Sequence, residues 1–129
     1  MLTDSRKTSM PSFTRAIRPY VDAELQAADR ALAEDDATRA FVHLERAHVL
    51  GQASTIEHVR VHVRMLYWGF AQRNLREVLG QLLRIAGAAT KTVFGLVPHG
   101  NTGGADISPF RRMPVPPDLD ALIRHARER

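Results

Sequence analysis

Histidine is the residue type whose spacing in this chain first points to chemistry. Four of the six histidines fall between Phe41 and Gly69, in the same stretch as the single Trp. His58 and His62 are spaced i, i+4, which on a helix sets both imidazoles on one face, one turn apart, where they can clip a single metal ion. His48 falls where the helical pattern around it calls for an apolar residue. These three histidines, on adjoining faces of two consecutive helices, make up the expected site, with Glu45, one turn before His48, as fourth ligand or base. Nitrogen and carboxylate donors suit Zn, Fe, Ni or Cu rather than Ca, and the expected ion is Zn or Fe. Glu45-x-x-His48 is similar to the Glu-x-x-His element of carboxylate-bridged di-iron bundles, although the motif occurs without its second copy. The same residues also fit a purely structural role. A buried imidazole that donates one N–H to a carbonyl or to Glu45, and accepts from an Arg or a water, locks helix register.

A second stretch with chemical potential is His99, Gly100, Asn101, Thr102, Gly103 and Gly104. Glycines let the backbone curl until successive N–H groups converge on an anion, and Asn101 and Thr102 add donors. The stretch lacks the Lys and the spacing of a P-loop, and no strand precedes it as a dinucleotide fingerprint requires. A tight turn after the fourth helix is the plainer reading. Folded back over the histidines, it would be a lid, with His99 as a further ligand. Arg60, Arg64, Arg73, Arg76 and Arg84 form a set that could meet phosphate, but a solvated face with Glu57 and Glu77 as partners accounts for them more simply. No nucleophile elbow is present, no catalytic residue is assigned, and the sequence leaves enzyme status open.

Four helices must position these groups. The first is expected from Pro19, a residue suited to the first helical position, to about Glu34, with Val21, Leu25, Ala28 and Leu32 at helical spacing. Asp36 is placed to cap a second helix, 37–50, whose core stripe is Ala37, Ala40, Phe41, Leu44, Ala47 and Gly51, with Gly51 as its stop. Ser54 and Glu57 read as a reciprocal capping box opening a third helix, 55–72. Its expected core stripe is Ile56, Val59, Val63, Leu66 and Phe70, with His58, His62, Met65 and Gly69 running beside it. Asn74 and Glu77 repeat the capping pattern for a fourth helix, whose expected buried face is Leu75, Val78, Leu79, Leu82, Ile85, Ala86, Ala89 and Val93. Gly80 and Gly87 weaken that helix by roughly 1 kcal/mol each relative to Ala, which a closely approaching neighbour would explain. From Gly95 the chain turns Gly- and Pro-rich. Asp118 then caps a short terminal helix, 119–128.

The expected fold is therefore all-α: four helices in two antiparallel hairpins, a Gly/Pro-rich loop and a short C-terminal helix. Residues 1–18 are expected to be a flexible arm, 19–96 a helical bundle, and 97–129 the loop and short helix packing on the same domain. A shift of 38 places Asp36 on Asn74, Ala40 on Val78, Leu44 on Leu82 and Ala47 on Ile85, a loose internal repeat resembling tetratricopeptide hairpins but longer than their usual period.

Composition narrows the classes. A chain of 129 residues makes one domain with a real core. The absence of Cys removes disulfides, thiolate metal sites and a Cys nucleophile. The N-terminus lacks the apolar run of a secretory signal, and the apolar stretch from Val78 to Val97 carries Gln81, Arg84 and Lys91, which argues against membrane insertion. A cytoplasmic location is expected. The net charge is +4, and all but two of the 18 basic residues, Lys7 and Lys91, are Arg. They are interspersed with acids rather than aligned with aromatics, which argues against nucleic acid as the partner.

The strings ERAHVLGQ (Glu45 to Gln52), EVLGQLLRI (Glu77 to Ile85) and GNTGGADISPFRRMPVP (Gly100 to Pro116) resemble a small bacterial family of unknown function whose members are short, soluble and helical. The resemblance runs from the second helix onward and implies a free-standing domain of bacterial source. It carries no activity and no site residues. Two functional expectations follow from the residues themselves. The first is a transition-metal protein using His48, His58, His62 and Glu45. The second is a tetratricopeptide-like interaction module, with a protein partner or a second copy of itself, in which the histidines are structural.

Overall fold

The computed structural model describes residues 11–93, 101–105 and 112–129, with the side chains of 88–93 excepted. The regular elements among them are five helices: α1 (Ser12–Ala33), α2 (Ala37–Gly51), α3 (Thr55–Ala71), α4 (Leu75–Val93) and α5 (Pro117–Arg127). Among the described residues none of these helices is long and apolar enough to cross a membrane. The most extensive pairings are α1 with α2 and α3 with α4; α2 packs on α3, and α5 lies against α1 and α2.

The apolar core belongs mainly to α1, α2 and α5. Ile17, Val21 and Leu25 meet Leu44, Leu50, Leu119 and Ile123, and Ala28, Ala31, Ala40 and Ala47 keep the helix axes close. Val61 and Met65 bring α3 into the same cluster. Trp68 ties α3 to the start of α2: its Nε1–H donates to the Ala37 carbonyl at 2.9 Å, and its ring lies 4.5 Å from that of Phe41. An indole N–H drawn partly out of water in this way needs such an acceptor.

The short connections are set by caps. The Asp36 carboxylate accepts from Arg39 N at 3.0 Å, as expected of an N-cap. Ser54 Oγ accepts from Glu57 N at 3.4 Å, and Asn74 Oδ1 from Glu77 N at 3.0 Å. The second half of each expected capping box is absent. Glu57 turns away from the Ser54 backbone and takes Arg18 Nε and Arg60 Nη1, each at 2.7 Å. Glu77 goes to Gln81 and to Ala105. A buried carboxylate gains more from a charged or otherwise unsatisfied donor than from a helix-end N–H that water can reach.

Four expectations about the helices are corrected. α1 begins at Ser12 rather than at Pro19, which lies inside it. Pro19 is exposed, and the buried Thr14 and Ile17 hold the preceding turns to the core, outweighing the missing N–H. Gly51 is a helical residue, not a stop. A Cβ there would lie 2.9 Å from Glu57 Cβ and 3.5 Å from Val21 Cγ2, so the glycine permits three helices to meet. On α3 the buried face is Glu57, His58, Val61, His62, Met65 and Gly69, whereas Ile56 and Phe70, from the expected core stripe, are exposed. On α4 the buried residues among those described are Glu77, Val78 and Gln81. Leu75, Leu79, Leu82 and Leu83 face outward, Leu75 being 69% and Leu83 77% exposed. The reason is common to both helices: α4 contacts α3 and no other described helix, and their shared face is given to polar groups that satisfy one another.

Glu57 joins α1 to α3 at a fully buried point: its side chain is 0% exposed, between Arg18 and Arg60, and Arg60 also pairs with Asp22. Replacing it with a neutral amide leaves two guanidiniums facing one acceptor. Glu57→Gln is expected to lower the urea-unfolding free energy by about 2–3 kcal/mol, less than for a fully buried pair because both arginines are about a third exposed. An unchanged midpoint and slope would show that the carboxylate charge is dispensable.

Candidate metal centre

His48 comes from the last turn of α2, and His58 and His62 from successive turns of α3. Ser54 sets the register of α3 through its cap to Glu57 N and its 2.6 Å bond with Thr14 Oγ1, which fixes the side of α3 that turns toward α2. All three imidazoles are buried. His48 Nε2 lies 3.0 Å from His58 Nε2 and 3.2 Å from His62 Nε2. The potential ligand atoms of the three residues all fall within 4.8 Å of one another, close enough to bind one metal ion.

Hydrogen bonds on the far side of two of the rings settle their tautomers. His48 Nδ1 is 2.5 Å from the Asn101 carbonyl oxygen, so this nitrogen carries the proton and donates. His62 Nδ1 is 2.5 Å from Gln81 Oε1. The Gln81 amide is oriented by its other end, where Nε2 donates to Glu77 Oε1 at 2.6 Å and to the Gly103 carbonyl at 2.9 Å. Oε1 therefore faces His62, and His62 Nδ1 donates too. With both protons on Nδ1, the Nε2 atom of each ring in its neutral form presents a lone pair toward the other across 3.2 Å.

His48 does not take up a second proton near neutral pH. The pKa of His48 is driven well below the usual imidazole range, first by burial and then by the neighbouring His62 and His58. The Arg84 guanidinium pushes the same way, and the hydrogen bond to the Asn101 carbonyl works in the opposite direction. The ring is thus neutral at pH 7, the state in which imidazole binds metal.

Residues 101–105 lie directly against this cluster. A Cβ on Gly103, whose φ is +83°, would come within 2.5 Å of the His48 ring. Arg84 donates to the Gly103 carbonyl at 2.7 Å and to that of Gly104. Ala105 N–H donates to the Glu77 carboxylate at 3.1 Å, and Gly103 N–H to Asn101 Oδ1 at 2.9 Å. The carbonyls of this segment, at Asn101, Gly103 and Gly104, point into the helices, and two of its N–H groups serve acceptors within the protein. Ala105 also accounts for Gly80 on α4, where a Cβ would lie 2.5 Å from its own. The close neighbour of Gly80 is thus a loop residue. His99 and Gly100 fall outside the described residues.

Glu45 is not among the converging ligand atoms. It lines a groove with Val42, Val49, Thr102, Pro114 and Leu119. His43, on the other side of α2, pairs with Glu24 at 2.6 Å. Of the arginine set, Arg60 and Arg64 pair with acids on α1, Arg84 serves the 101–105 segment, and Arg73 and Arg76 are exposed.

Sequence reasoning missed Gln81 and Glu77 as parts of the site. A signal was available. Glu77, Gln81 and Arg84 follow i, i+4, i+7 along a helix otherwise rich in leucine, which marks a polar stripe in need of an occupant.

The chain belongs to the family described as protein of unknown function (DUF3703), whose model matches residues 15–123. No curated protein and no solved structure matches it.

Gly103 is where the backbone requirement of the site is sharpest, since an alanine would meet both a left-handed φ and the His48 ring. Gly103→Ala is expected to destabilise the protein by about 2 kcal/mol or more, measured by chemical denaturation. A loss within about 0.5 kcal/mol, the range of an ordinary surface substitution, would show that the segment moves aside without consequence.

Proposed function

We propose that this protein binds a transition-metal ion through His48, His58 and His62. The observation that carries the proposal is the outward commitment of two Nδ1 protons, to Asn101 and Gln81, which aims the Nε2 lone pairs of His48 and His62 inward beside His58. Two lone pairs facing at this distance repel unless a cation lies between them. Separations of 3.0 and 3.2 Å are close to the edge of about 3.3 Å that tetrahedral ligands span when each is about 2.0–2.1 Å from an ion. The three ligand atoms together lie within 4.8 Å of one another, and an ion held tetrahedrally by them would keep a further position open beyond the three nitrogens. Three neutral imidazoles favour Zn, Fe, Cu or Ni over Ca or Mg. Such a set leaves the ion's own charge undiminished and supports a Lewis-acidic centre.

The test is direct. Untagged protein is expected to copurify with or take up about one equivalent of metal, to give a visible tetrahedral spectrum with Co²⁺, and to unfold later with Zn²⁺. The gain is about 2.7 kcal/mol at a free ion concentration 100 times Kd. His48→Ala, His58→Ala and His62→Ala should each abolish the spectrum, and acidification should release the ion as the ligands protonate. Absence of both the Co²⁺ spectrum and the Zn²⁺ stabilisation in the wild type would leave the histidines with a structural role alone.

A second reading rests on a different face. Leu75, Leu79 and Leu82 are exposed at the alternating four- and three-residue spacing of a helix–helix seam, with Phe70 and Leu83 exposed nearby. We propose that this face of α4, in a tetratricopeptide-like pairing with α3, meets a protein, and a second copy of the chain is the simplest candidate. Light scattering after size exclusion should show concentration-dependent self-association that Leu79→Glu with Leu83→Glu removes. A wild type monomeric throughout would dismiss self-association through this face.

A further inference from the structure

We infer that Gln81 is a positioning residue of the metal site, and that through Glu77 it makes metal occupancy and the seating of residues 101–105 one linked equilibrium. The inference rests on the metal-binding reading above, and its test separates the two.

Gln81 is 0% exposed, and its amide is engaged at both ends. Oε1 accepts from His62 Nδ1, while Nε2 donates to Glu77 Oε1 and to the Gly103 carbonyl. Turning the amide over would set its oxygen against a carboxylate and a carbonyl at once, so only one orientation is tenable. Glu77 is buried as well, and its carboxylate also takes the Ala105 N–H. An anionic group two hydrogen bonds from His62 polarises the amide and strengthens its hold on the Nδ1 proton, which raises the electron density at Nε2. The nearby Arg84 charge opposes a cation at the site, and the buried Glu77 carboxylate beside Gln81 carries the opposite sign.

The same bonds hold residues 101–105. The Asn101 carbonyl takes the His48 proton, the Gly103 carbonyl takes Gln81 Nε2 and Arg84, and the Ala105 N–H reaches Glu77. Seating this segment therefore selects the tautomer an ion needs at His48, and it completes the orientation of Gln81 that selects the tautomer at His62. An ion that prefers those tautomers must, by reciprocity, favour the seated segment. The choice of Gln rather than Glu at position 81 also follows. A carboxylate there would face Glu77 with no donor between them, whereas exchanging the two residues would keep an acceptor toward His62 and a donor between 77 and 81, at the cost of the donor to the Gly103 carbonyl, which would keep Arg84 alone.

The experiment compares wild type, Gln81→Met and the exchanged double variant Glu77→Gln/Gln81→Glu. Co²⁺ affinity and spectrum are measured, together with amide hydrogen exchange at Gly103 and Ala105 in apo and Zn²⁺-loaded protein. Gln81→Met is expected to bind Co²⁺ about 10–100-fold more weakly, with the double variant recovering part of that loss, since it restores the acceptor toward His62 but not the donor to Gly103. In the wild type, Zn²⁺ should slow exchange at both amides, and in Gln81→Met it should not. Long-range ¹H–¹⁵N spectra of apo wild type should place the His62 proton on Nδ1, a readout that does not depend on any variant folding. Wild-type Co²⁺ affinity in a folded Gln81→Met overturns the inference while leaving the metal site intact, and a His62 proton on Nε2 overturns it together with the tautomer argument for the site, which Co²⁺ uptake then tests alone. A wild type that takes up no Co²⁺ at all overturns the metal-binding reading and this inference with it.

Discussion

Two imidazole protons, on His48 Nδ1 and His62 Nδ1, are each held by a carbonyl-type oxygen at 2.5 Å, and much of the molecule is arranged so that those oxygens stay in place. One belongs to the backbone of Asn101. The other belongs to Gln81, which in turn depends on Glu77 and Gly103. The consequence is a buried point where imidazole lone pairs converge. Desolvation keeps His48 neutral there, and the two neighbouring histidines reinforce it. Such a point would be poor design for a core whose only task is stability, because apolar residues of similar volume fill space without requiring partners for every polar atom. Among the described residues, every buried side-chain nitrogen and oxygen has a polar atom within hydrogen-bonding distance, and at the histidine cluster those neighbours are other imidazole nitrogens.

The helices divide accordingly. α1, α2 and α5 enclose a conventional apolar core of branched residues and alanines. α3 contributes Val61 and Met65 to that core but gives His58 and His62 to the cluster, and α4 buries Glu77 and Gln81 while turning leucines outward. A stable three-helix platform thus supports a polar layer that would not fold by burial alone. The outward leucines are the complement of that arrangement: once the polar stripe of α4 is committed to the site, its apolar stripe can only face away.

Ion pairs knit the platform together. Glu24 on α1 takes both His43 and Arg46 of α2, and Arg46 reaches on to Asp118 at the start of α5. The Asp118 side chain bonds to Arg46 and its carboxyl is held below the usual range, as the Arg46 guanidinium is held above its own. On the other side, Glu57 joins Arg18 and Arg60. Ion pairs of this kind add little net stability near the surface, and their geometric demand is what sets helix register. Register matters here because a rotation of α3 by one residue would carry His58 and His62 out of line with His48.

The sequence by itself determined that the chain is helical, where most helices start and which three histidines come together. Those features are local: caps such as Asp36, Ser54 and Asn74 act within three residues, and an i, i+4 pair shares a face whatever surrounds it. Periodicity also located two faces on α3 and two on α4, but it could not say which was inside. Apolar stripes are normally buried, and that rule fails when a polar stripe is fully satisfied by partners distant in sequence. Glu77 and Gln81 meet Gly103 and Ala105 some 22 to 28 residues away, and His48 meets Asn101 across 53. Only the tertiary fold could bring these together. It decided that the histidine face of α3 turns inward and that Gln81 is part of the site. It also decided that the glycines at 51, 80 and 103 mark close approach, of Glu57, Ala105 and the His48 ring in turn, because steric contact is a property of the packed chain rather than of its order.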